Sequence, residues 1–416
     1  MKTQKTIHIL LTISCLALAT TPGQTQADGP LPIIWQATYG PGKDNQGLGG
    51  AAPYDFAQTL DGVFLITGHA YGPANGIRTE PICAGPDIWT IKIDSQGQRQ
   101  WDGSCGGDIG WAPGDQANRI LLTPDGGFIV FGFSTTEPGC CKTAPLIIPP
   151  GSVGLNHWAV RYDADGNKLW DKSYLPDGLI ACWQFDADPT ADGGYLSCGT
   201  GITGGENAGY FAIVKLNAQG DQVWTKKIGC ETTNFAEALR IRETVDGGFI
   251  VAGQFGATPC GDKTSPYFGG YDPDNPYLGS DIWVVRFDAQ QNKLWDKSYG
   301  GQSAELALDI HPLADGGFMV FGASQSLPAP DPTKGTKTSP RYGNMMDYWV
   351  IRIDAQGNQL WDKSYGGGSD DVCTHAEPMP DGGWLLSGTS MSLPSGNKTS
   401  PRFGSSDFWI VRIDEE

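Results

Sequence analysis

The strongest constraint on the fold of this chain is a set of three short markers that recurs six times in the same order. The first marker is a Trp that opens phrases such as WDKSYGG, which stands unchanged at residues 295–301 and 361–367. Its copies are Trp35, Trp101, Trp170, Trp224, Trp295 and Trp361. A unit that repeats in phase must bury its apolar face against its neighbours, so the chain is expected to form one repeat array.

The other two markers are a turn signal and an aromatic pair. The turn signal is Asp-Gly, usually followed by a second Gly, and it starts at Asp61, Asp125, Asp192, Asp246, Asp315 and Asp381. The aromatic pair, or its remnant, is Ile88-Trp89, His157-Trp158, Tyr210-Phe211, Ile282-Trp283, Tyr348-Trp349 and Phe408-Trp409. Because glycine permits the positive φ of a tight hairpin, each turn signal predicts a connection between two strands.

Each repeat is predicted to contain four short strands. The first strand runs into the Asp-Gly-Gly turn, and the second leaves it, as at residues 318–322. The third carries the aromatic pair, as at residues 348–354, and the fourth carries the marker Trp, as at residues 359–365. No segment shows a sustained helical period. Six such units predict an all-β fold, a six-bladed β-propeller with four strands per blade.

The two ends of the chain complement each other. The last repeat stops after its third strand, residues 408–414, whereas the first repeat begins with a spare strand, residues 33–39. We therefore expect the N-terminal strand to complete the last blade, because this pairing hides both open sheet edges. Residues 28–416 would then form a single propeller domain.

Residues 1–27 are typical of a secretory signal peptide. Lys2 and Lys5 precede an apolar run at residues 7–19, and Thr25-Gln26-Ala27 offers a cleavage site of small residues. The apolar run is too short to remain as a bilayer anchor. We expect an exported protein, whether periplasmic, on the cell surface or secreted, without membrane insertion.

The net charge argues against one class of partner. The chain has 28 Lys and Arg against 46 Asp and Glu, which gives a formal net charge of -18. Nucleic-acid binding needs clustered cationic side chains that neutralise phosphates, so no nucleic-acid partner is expected. The oligomeric state does not follow from the sequence.

Strand polarity divides the connections between two faces. The Asp-Gly-Gly turns and the turns between strands three and four fall on one face, where they are short and uniform. The loops between strands two and three fall on the other, and they range from residues 200–209 to residues 254–280. Variable loops on a repeated scaffold commonly carry binding sites, so this variable face is where we expect a ligand.

Five of the long loops share a phrase that begins with a cation, at Arg78, Lys142, Lys263, Lys337 and Lys398. One interpretation is a ring of cations that binds an acidic sugar or a carboxylate. The other, which we favour because the phrase repeats with every blade, is that Thr and Ser satisfy backbone groups while Pro shapes a turn. The candidate binding residues are Trp183, Lys142, Lys263, Lys337, Arg341, Lys398 and Arg402.

Export makes disulfides possible. The chain has 10 cysteines, and removal of Cys15 with the signal leaves an odd number, so at least one thiol stays free or pairs outside the chain. Cys140 and Cys141 form either a vicinal disulfide or bonds to different partners, and Cys373 is the expected leftover. The expected pairs are Cys182–Cys198, Cys83–Cys105 and Cys230–Cys260.

The units GNKTSPRFGSSDFWIVRID and GTKTSPRYGNMMDYWVIRIDAQGNQLWDKSYGG resemble the repeats of exported bacterial proteins that are common in Bacteroidetes. The resemblance covers nearly the whole mature chain and concerns the type of repeat. Most such proteins have no assigned activity, and some are loosely labelled endoglucanase. Those proteins often carry a C-terminal sorting domain, whereas this sequence ends at the last blade, so anchoring through such a domain is not expected.

A few residues are candidates for a catalytic or metal-binding role. Glycoside hydrolysis needs two facing carboxylates, and Asp370, Asp371 and Glu377 are weak candidates in an acid-rich chain. His69 and His375 fall in blades that ring closure makes neighbours, so they are weak candidates for a metal site. Their ordinary interpretation, as loop or core residues, is favoured. A quinoprotein oxidoreductase remains a distant alternative, because such propellers usually have eight blades and a different docking phrase.

The sequence is therefore interpreted as an exported, non-catalytic binding propeller without a cofactor. Its ligand is expected to be a glycan or a protein, bound on the variable face. The alternative is an extracellular carbohydrate-active enzyme. The identity of the ligand does not follow from the sequence.

Overall fold

The computed structural model describes residues 37, 39, 50–59, 62–72, 74, 78–79, 83, 85–149, 154–204, 208–231, 236–269 and 279–414, without the side chains of residues 109–113. The chain divides into two compact units, Met1–Ala37 and Thr38–Glu416. The predicted signal peptide and most of the predicted spare strand lie outside the described residues. All of the strands described below belong to the second unit.

The first half of the second unit contains three four-stranded antiparallel sheets, which we call blades 1 to 3. Blade 1 comprises β1 (Gly50–Gln58), β2 (Phe64–Tyr71), β3 (Asp87–Ile93) and β4 (Arg99–Cys105). Blade 2 comprises β5 (Asp108–Leu122), β6 (Phe128–Glu137), β7 (Asn156–Tyr162) and β8 (Lys168–Tyr174). Blade 3 comprises β9 (Ala181–Pro189), β10 (Tyr195–Ile202), β11 (Gly209–Leu216) and β12 (Gln222–Gly229).

The second half contains blades 4 to 6. Blade 4 comprises β13 (Ala236–Glu243), β14 (Phe249–Phe255), β15 (Asp281–Phe287) and β16 (Lys293–Tyr299). Blade 5 comprises β17 (Glu305–Pro312), β18 (Phe318–Ser324), β19 (Asp347–Ile353) and β20 (Gln359–Tyr365). Blade 6 comprises β21 (Asp371–Pro378), β22 (Trp384–Ser390) and β23 (Asp407–Ile413).

In every blade the strands are hydrogen-bonded in the order in which they follow along the chain. This arrangement confirms the predicted all-β, six-bladed propeller, with blade 6 three-stranded among the described residues. No helix in the described part of the chain has both the length and the apolar character needed to cross a bilayer.

The Asp-Gly-Gly turns are closed by backbone and side-chain contacts. In blade 2 the Gly126 N–H donates to the Thr123 carbonyl at 2.9 Å, and Gly126 has a φ of 86°, which favours glycine. Arg161 of the third strand donates to both carboxylate oxygens of Asp125, at 2.6 and 2.7 Å. The equivalent ion pairs are Arg286–Asp246, Arg352–Asp315 and Arg412–Asp381.

The hydrophobic core lies between blades, on both faces of each sheet. Every residue of β14 and β18 is buried. Because successive side chains of a strand point to opposite faces, Val251 packs in the cluster with Phe211 of blade 3, whereas Ile250 packs in the cluster with Ile310 of blade 5. These second strands are therefore buried on both faces of the sheet.

The marker Trp of the fourth strand contacts the next blade. The Trp295 indole N–H donates to the Ala355 carbonyl at 3.0 Å, and the Tyr299 hydroxyl donates to the Gly357 carbonyl at 2.6 Å. A Cβ on Gly357 would lie 2.9 Å from the Trp295 ring, so this turn requires glycine. Tyr174 and Gly220 form the same contact between blades 2 and 3, at 2.7 Å.

One described residue bears on the predicted closure of the ring. Tyr39 donates its hydroxyl proton to the Gly97 carbonyl, in the turn between strands three and four of blade 1. This is the contact that Tyr174 and Tyr299 make with the blade that follows theirs. Tyr39 thus behaves as a fourth-strand tyrosine that precedes blade 1, although the rest of the predicted closing strand lies outside the described residues.

Candidate functional site

The long loops of the variable face are anchored on the aspartate of the WDKS phrase. The Asp296 carboxylate accepts hydrogen bonds from the Thr264 N–H and the Ser265 N–H, both at 2.9 Å, and from the Trp283 indole at 3.1 Å. Burial opposes its ionisation, but the hydrogen bonds from Lys293 and Thr264 outweigh burial and lower the pKa of Asp296. One carboxylate thus joins the loop to strands three and four.

This carboxylate anchor recurs around the propeller. Asp102, Asp171 and Asp362 each accept from the threonine of the loop phrase and from the third-strand tryptophan of the same blade. The repeated Asp is therefore a structural residue, and the repeated Thr is its partner. This outcome agrees with the interpretation that the loop phrase shapes a turn.

The lysines of the loop phrase are buried, which agrees with the favoured structural interpretation and not with a ring of exposed cations. Lys263 is 1% exposed, and its ammonium group donates to the Ser265 carbonyl at 2.8 Å, the Pro266 carbonyl at 2.9 Å and the Ser298 hydroxyl at 2.6 Å. Burial lowers its pKa to about 8. The same burial is found for Lys142, Lys337 and Lys398. These four ammonium groups donate to loop carbonyls.

The other predicted binding residues are partly exposed. Arg341 and Arg402 each donate from Nη1 to a loop carbonyl, that of Gln325 at 2.8 Å and that of Met391 at 2.7 Å. Trp183, at the start of β9, packs partly against Phe133 and Leu155. These three side chains belong to three different blades, since Trp183 lies in blade 3, Arg341 in the loop of blade 5 and Arg402 in the loop of blade 6.

Three disulfides link loops and strands of this face, and one of them agrees with the sequence-based expectation. Cys230, after β12, is bonded to Cys260 in the long loop of blade 4, with a Cα–Cα distance of 5.5 Å. The Asp262 N–H donates to the Gly229 carbonyl at 3.0 Å, so the loop of one blade lies over the end of the preceding blade. The disulfide therefore connects two blades.

The pairing of Cys83 with Cys105 is wrong. Cys83 is bonded to Cys140, and Cys105 is bonded to Cys141, with Cα–Cα distances of 6.1 and 5.0 Å. The cause is again the passage of a loop over the preceding blade, because the Lys142 N–H donates to the Gly106 carbonyl at 3.0 Å. Cys140 and Cys141 thus have different partners, one of the two outcomes expected.

The pairing of Cys182 with Cys198 is also wrong. Cys182 lies opposite Gly201, whereas Cys198 lies opposite Asp186. An odd offset along a strand places the two side chains on opposite faces of the sheet, so they enter different clusters. Cys182, Cys198 and the expected leftover Cys373 are free, buried thiols.

The predicted catalytic carboxylates are not brought together. Asp371 is fully buried and accepts from the Gly367 N–H at 2.8 Å and the Ser392 hydroxyl at 2.7 Å. Asp370 accepts from the Met346 N–H at 3.1 Å and thereby joins two loops. Glu377 lies six residues beyond Asp371 in an extended strand, about 20 Å away at ~3.3 Å per residue. That distance exceeds the separations used in glycoside hydrolysis.

The weak metal candidates are likewise separate. His69 has a ring contact with Tyr54, with centroids 5.6 Å apart, and burial lowers its pKa. His375 contacts Asp309 at 3.0 Å and Glu377 at 3.0 Å. Among the residues that the structure describes, no group of three or more His, Cys, Asp or Glu is arranged to hold a metal ion.

The first strands carry a group of charged residues that sequence reasoning missed, which we call the axial charge ring. Its members follow a β-bulge in each first strand and alternate between acid and base around the six blades. They are Asp55, Arg119, Asp186, Arg240, Asp309 and His375. Each stands six residues before the aspartate of its turn signal, and this constant spacing could have revealed the ring from the sequence.

The axial charge ring is joined by ion pairs between consecutive blades. Arg119 lies 3.4 Å from Asp55 and 3.6 Å from Asp186. Arg242, two residues after Arg240, lies 2.5 Å from Asp186 and 3.2 Å from Asp309. Burial opposes the ionisation of Asp309, but hydrogen bonds from its histidine neighbours, His311 first, hold its pKa well below the usual range. These charges are balanced within the protein.

Five exposed apolar side chains lie on two neighbouring loops of the variable face, and we call them the blade 5/6 loop surface. They are Leu327, Met345, Met391, Leu393 and Phe403. The two loops touch, because the Asn397 amide donates to the Tyr342 hydroxyl at 3.2 Å, and both bind Asp370. Phe403 is 89% exposed, and Leu327 and Leu393 are each 60% exposed.

Comparison with known proteins assigns no family. No family model and no curated protein match the chain. A protein of unknown function from Dyadobacter fermentans aligns over 83% of this chain and 91% of its own, at 11% identity and a TM-score of 0.45. A DUF4221 family member from Bacteroides vulgatus aligns over 88% and 97%, at 11% identity and a TM-score of 0.35.

An apocarotenoid oxygenase from Synechocystis aligns over 90% of this chain and 80% of its own, at 11% identity and a TM-score of 0.37. The solved neighbours thus include bacterial proteins of unknown function. At these identities and TM-scores, the alignments carry no argument about the activity of this chain.

Proposed function

We propose that this chain is an exported, non-catalytic binding propeller that holds a ligand on the blade 5/6 loop surface. The observation that carries the proposal is a difference on the variable face between the residues that repeat in every loop and those that do not. The repeated Lys and Asp side chains are buried and hydrogen-bonded within the protein, and the repeated Thr, although exposed, is bonded to that Asp, as Thr264 is to Asp296. The apolar side chains of the non-repeating loop segments, by contrast, are exposed and unengaged by this network. A contiguous exposed apolar patch on a soluble protein commonly marks an interaction site.

The side chains of this surface favour a protein ligand over a glycan. Leucine and methionine lack the flat aromatic faces on which sugars stack, whereas Met and Phe are enriched in protein interfaces. The loops are also braced by the buried lysines Lys337 and Lys398, so they present their exposed side chains on a rigid support. A braced loop loses little conformational freedom on binding, which favours affinity.

Export is supported by the three disulfides. Disulfides persist in oxidising compartments such as the periplasm or the cell exterior, and they are rare in the cytosol. The predicted signal peptide is consistent with this location, and N-terminal sequencing of the mature protein would test cleavage after Ala27.

A photo-cross-linking residue at position 403 tests the binding surface directly. In the exporting cells we expect one adduct of discrete mass with Phe403 replaced, and none with the same residue at Val245, which is 94% exposed in the turn before Asp246. Phe403→Ser should abolish binding of the captured partner, whereas Val245→Ser should not change it. Equal cross-linking at both positions would contradict the proposal.

Two further measurements on the same protein distinguish a protein ligand from a glycan ligand and from a polysaccharide substrate. Binding to a glycan array that is lost in Phe403→Ser would move the ligand from protein to glycan. Release of sugars from a polysaccharide by the wild-type protein would replace the binding function with an enzymatic one.

A further inference from the structure

Two neighbouring blade interfaces each contain a pair of buried carboxylates that converge on one glycine. Between blades 4 and 5 the pair is Asp281 and Glu305, and a Cβ on Gly300 would lie 2.6 Å from Asp281 Oδ1 and 2.4 Å from Glu305 Oε2. Between blades 5 and 6 the pair is Asp347 and Asp371 about Gly366, at 2.0 and 2.9 Å. All four carboxylates are at most 1% exposed.

The two members of a pair differ in their hydrogen bonds. Glu305 accepts from the Gly301 N–H at 3.0 Å through Oε2 and from the Ser324 hydroxyl at 2.8 Å through Oε1. Asp281 accepts from the Phe268 N–H at 2.8 Å through Oδ2, but its Oδ1 has no hydrogen-bond partner among the described residues. One member is thus solvated by the protein as an anion, and the other presents a buried, unpartnered oxygen to it.

The pair between blades 5 and 6 has the same geometry, but there Oδ1 of Asp371, like Oδ1 of Asp347, has no hydrogen-bond partner among the described residues. Asp371 accepts from the Gly367 N–H and the Ser392 hydroxyl through Oδ2. Asp347 accepts from the Tyr342 N–H at 2.8 Å through Oδ2, and its Oδ1 also has no partner within the described part of the chain. Two features therefore recur in both interfaces: two buried carboxylates converge on one glycine, and the third-strand aspartate has an unpartnered oxygen.

Blade 2 has an amide side chain at the position where blades 4 and 5 have the carboxylate with the unpartnered oxygen. Asn156 occupies the place of Asp281 and Asp347 at the start of the third strand, and its Oδ1 accepts from the Ile147 N–H at 2.7 Å. Its Nδ2 donates to the Ile147 carbonyl at 3.1 Å, where the aspartates have the unpartnered oxygen. An amide is the neutral isostere of a protonated carboxyl, so this position accommodates a donor.

Two other interfaces lack both acids of the pair. In the interface after blade 2, Asn156 faces the place of the second acid, which is occupied by Cys182, four residues before the axial Asp186. In the interface after blade 3, the two places hold Gly209 and Ala236. In these two interfaces both acids are therefore absent, whereas blade 6 keeps Asp407 although Ala51 stands four residues before Asp55.

The cations near each pair are already engaged. Lys263 faces Asp281, and Lys337 faces both Glu305 and Asp347, but each ammonium group donates to carbonyls and hydroxyls of its own loop and strand. Tyr267 also faces the first pair, and Arg341 faces the second. Asp87 belongs to a similar pair between blades 1 and 2, but Arg78 lies 3.4 Å from it. Because a cation neighbours that carboxylate, this pair differs from the two pairs described above.

We propose that the blade 4/5 and blade 5/6 interfaces are proton-binding sites, each of which holds one proton between its two carboxylates. The proton is carried on Oδ1 of Asp281 and of Asp347 and is directed towards Glu305 and Asp371. Proton binding removes a like-charge repulsion from the interface. Proton release to solvent leaves two buried anions around one glycine and weakens the contact between the blades.

The direction of the pH dependence follows from the folded and unfolded pKa values. Burial raises the pKa of Asp347 to about 6 and that of Glu305 to about 7, and burial with the charge of Glu305 raises the pKa of Asp281. Unfolded carboxyls titrate near ~4. The folded protein therefore binds protons that the unfolded chain has lost, and this stabilisation decreases as the pH rises from about 4 to about 7.

Neutral isosteres test the proposal. Asp281→Asn and Asp347→Asn should melt close to the wild-type temperature at pH 4.5 and about 3 °C above it at pH 8, because they never acquire the second charge. Glu305→Gln provides a second variant at the first site. Asp407→Asn is the matched control, because Asp407 has the same place in blade 6 but is partly exposed and both of its oxygens accept N–H groups. Its difference from wild type should not change with pH.

A spectroscopic readout separates proton binding from packing. The carbonyl stretch of a protonated carboxylic acid should be present in infrared difference spectra between pH 5 and pH 8 and should be reduced in Asp281→Asn. Loss of stability in the asparagine variants at all pH values, with no change in that band, would overturn the proposal. Calcium-dependent melting of the wild type that disappears in Asp281→Asn would also overturn it in favour of a cation site.

Discussion

The aspartate of the WDKS phrase decides the conformation of each long loop. Asp296 satisfies two loop N–H groups, a threonine hydroxyl and a buried indole, and Lys293 lies 2.8 Å from it. A carboxylate with so many donors is stabilised as an anion even where it is buried. The phrase is therefore architectural, and its Asp and Ser are directed into the protein, as Asp296 and Ser298 show.

Replacement of this anchor has a defined cost and a defined pH dependence. Asp296→Asn should lower the free energy of unfolding by about 2 kcal/mol at pH 7, because hydrogen bonds to a charged group contribute about 1.5–3 kcal/mol. The low pKa of Asp296 stabilises the fold above the unfolded value of ~4, and this stabilisation is lost as the pH falls through the folded value. Urea unfolding at several pH values should therefore show the variant and wild type converging below pH 4.

The matched control for that variant is Asp288→Asn. Asp288 lies in an exposed turn and accepts from the Gln290 and Asn292 N–H groups. Blade 3 has Asn217 at the same place, where it makes the same two bonds to Gln219 and Asp221. We expect no measurable change in stability. An equal loss in both variants would contradict the anchoring role of Asp296.

At the scale of elements, the loops between strands two and three connect consecutive blades. Four of these loops, those of blades 2, 4, 5 and 6, lie over the end of the preceding blade, as shown by their bonds to the Gly106, Gly229, Gly300 and Gly366 carbonyls. Two of these crossings are reinforced by disulfides, Cys105–Cys141 and Cys230–Cys260. The other two depend on hydrogen bonds alone.

The disulfide framework predicts a thiol count. In the denatured but unreduced mature protein, Cys182, Cys198 and Cys373 should react with an alkylating reagent, and the remaining cysteines should react only after reduction. Mass spectrometry of tryptic peptides identifies the modified residues. Alkylation of Cys83 or Cys260 without reduction would contradict the observed pairing.

Removal of the Cys230–Cys260 disulfide measures its contribution to the stability of the protein. Cys260→Ser should lower the stability by about 3 kcal/mol, because the bond constrains a loop with a sequence separation of 30 in the unfolded chain. Unfolding should remain cooperative, since the Asp262 contact to Gly229 persists. Addition of reductant to the wild type provides the comparison, and a stability unchanged by both treatments would show that the bond does not stabilise the fold.

At the scale of the whole propeller, the axial charge ring links first strands of consecutive blades. Its acids accept the backbone N–H that follows the next base, as Asp55 does from Ile120 and Asp186 does from Ile241. Each ion pair is therefore accompanied by a main-chain bond across the interface. The ring orients neighbouring blades at the centre, where apolar packing alone would not fix their register.

Arg242 is the residue on which this arrangement depends most. Arg242→Met should destabilise the protein by about 3 kcal/mol at pH 7, because Asp186 and Asp309 would lose a cation while staying buried. The pKa values of both acids are lowered in the folded state, so the deficit should shrink below about pH 4. Lys172→Met, which removes an exposed pair with Asp221, is the control and should cost at most about 1 kcal/mol.

Closure of the ring is tested by truncation. Deletion of residues 28–39 should lower the melting temperature and promote aggregation, because Phe408 and Ile410 of β23 are exposed and the edge of that strand would stay open. Deletion of residues 28–32 alone should leave both properties unchanged. Equal melting temperatures for the two truncated proteins, measured with size-exclusion profiles, would contradict closure by the N-terminal strand.

The architecture and the arrangement of turns could be derived from the sequence, because the period of a repeat and the glycines of a turn act locally. Whether a charged side chain is buried or exposed could not be derived from the sequence. The same Lys-Thr-Ser-Pro phrase is compatible with a solvent-facing cation and with a buried one, and only the position of Ser298 and of the loop carbonyls places Lys263 inside. The sequence likewise did not show that Asp371 and Glu377 lie at opposite ends of one strand.

That this chain repeats one four-stranded unit six times follows from the sequence alone, because the apolar pattern and the turn residues are properties of neighbours along the chain. The tertiary structure was needed to establish which cysteines meet, which acids share an interface and which members of the axial charge ring pair with one another. Those contacts join residues of different blades, as Cys105 meets Cys141 and Arg242 meets Asp309. The packing of one blade against the next decides which residues meet. The number of residues between two positions in the sequence does not give the distance between them across a blade interface.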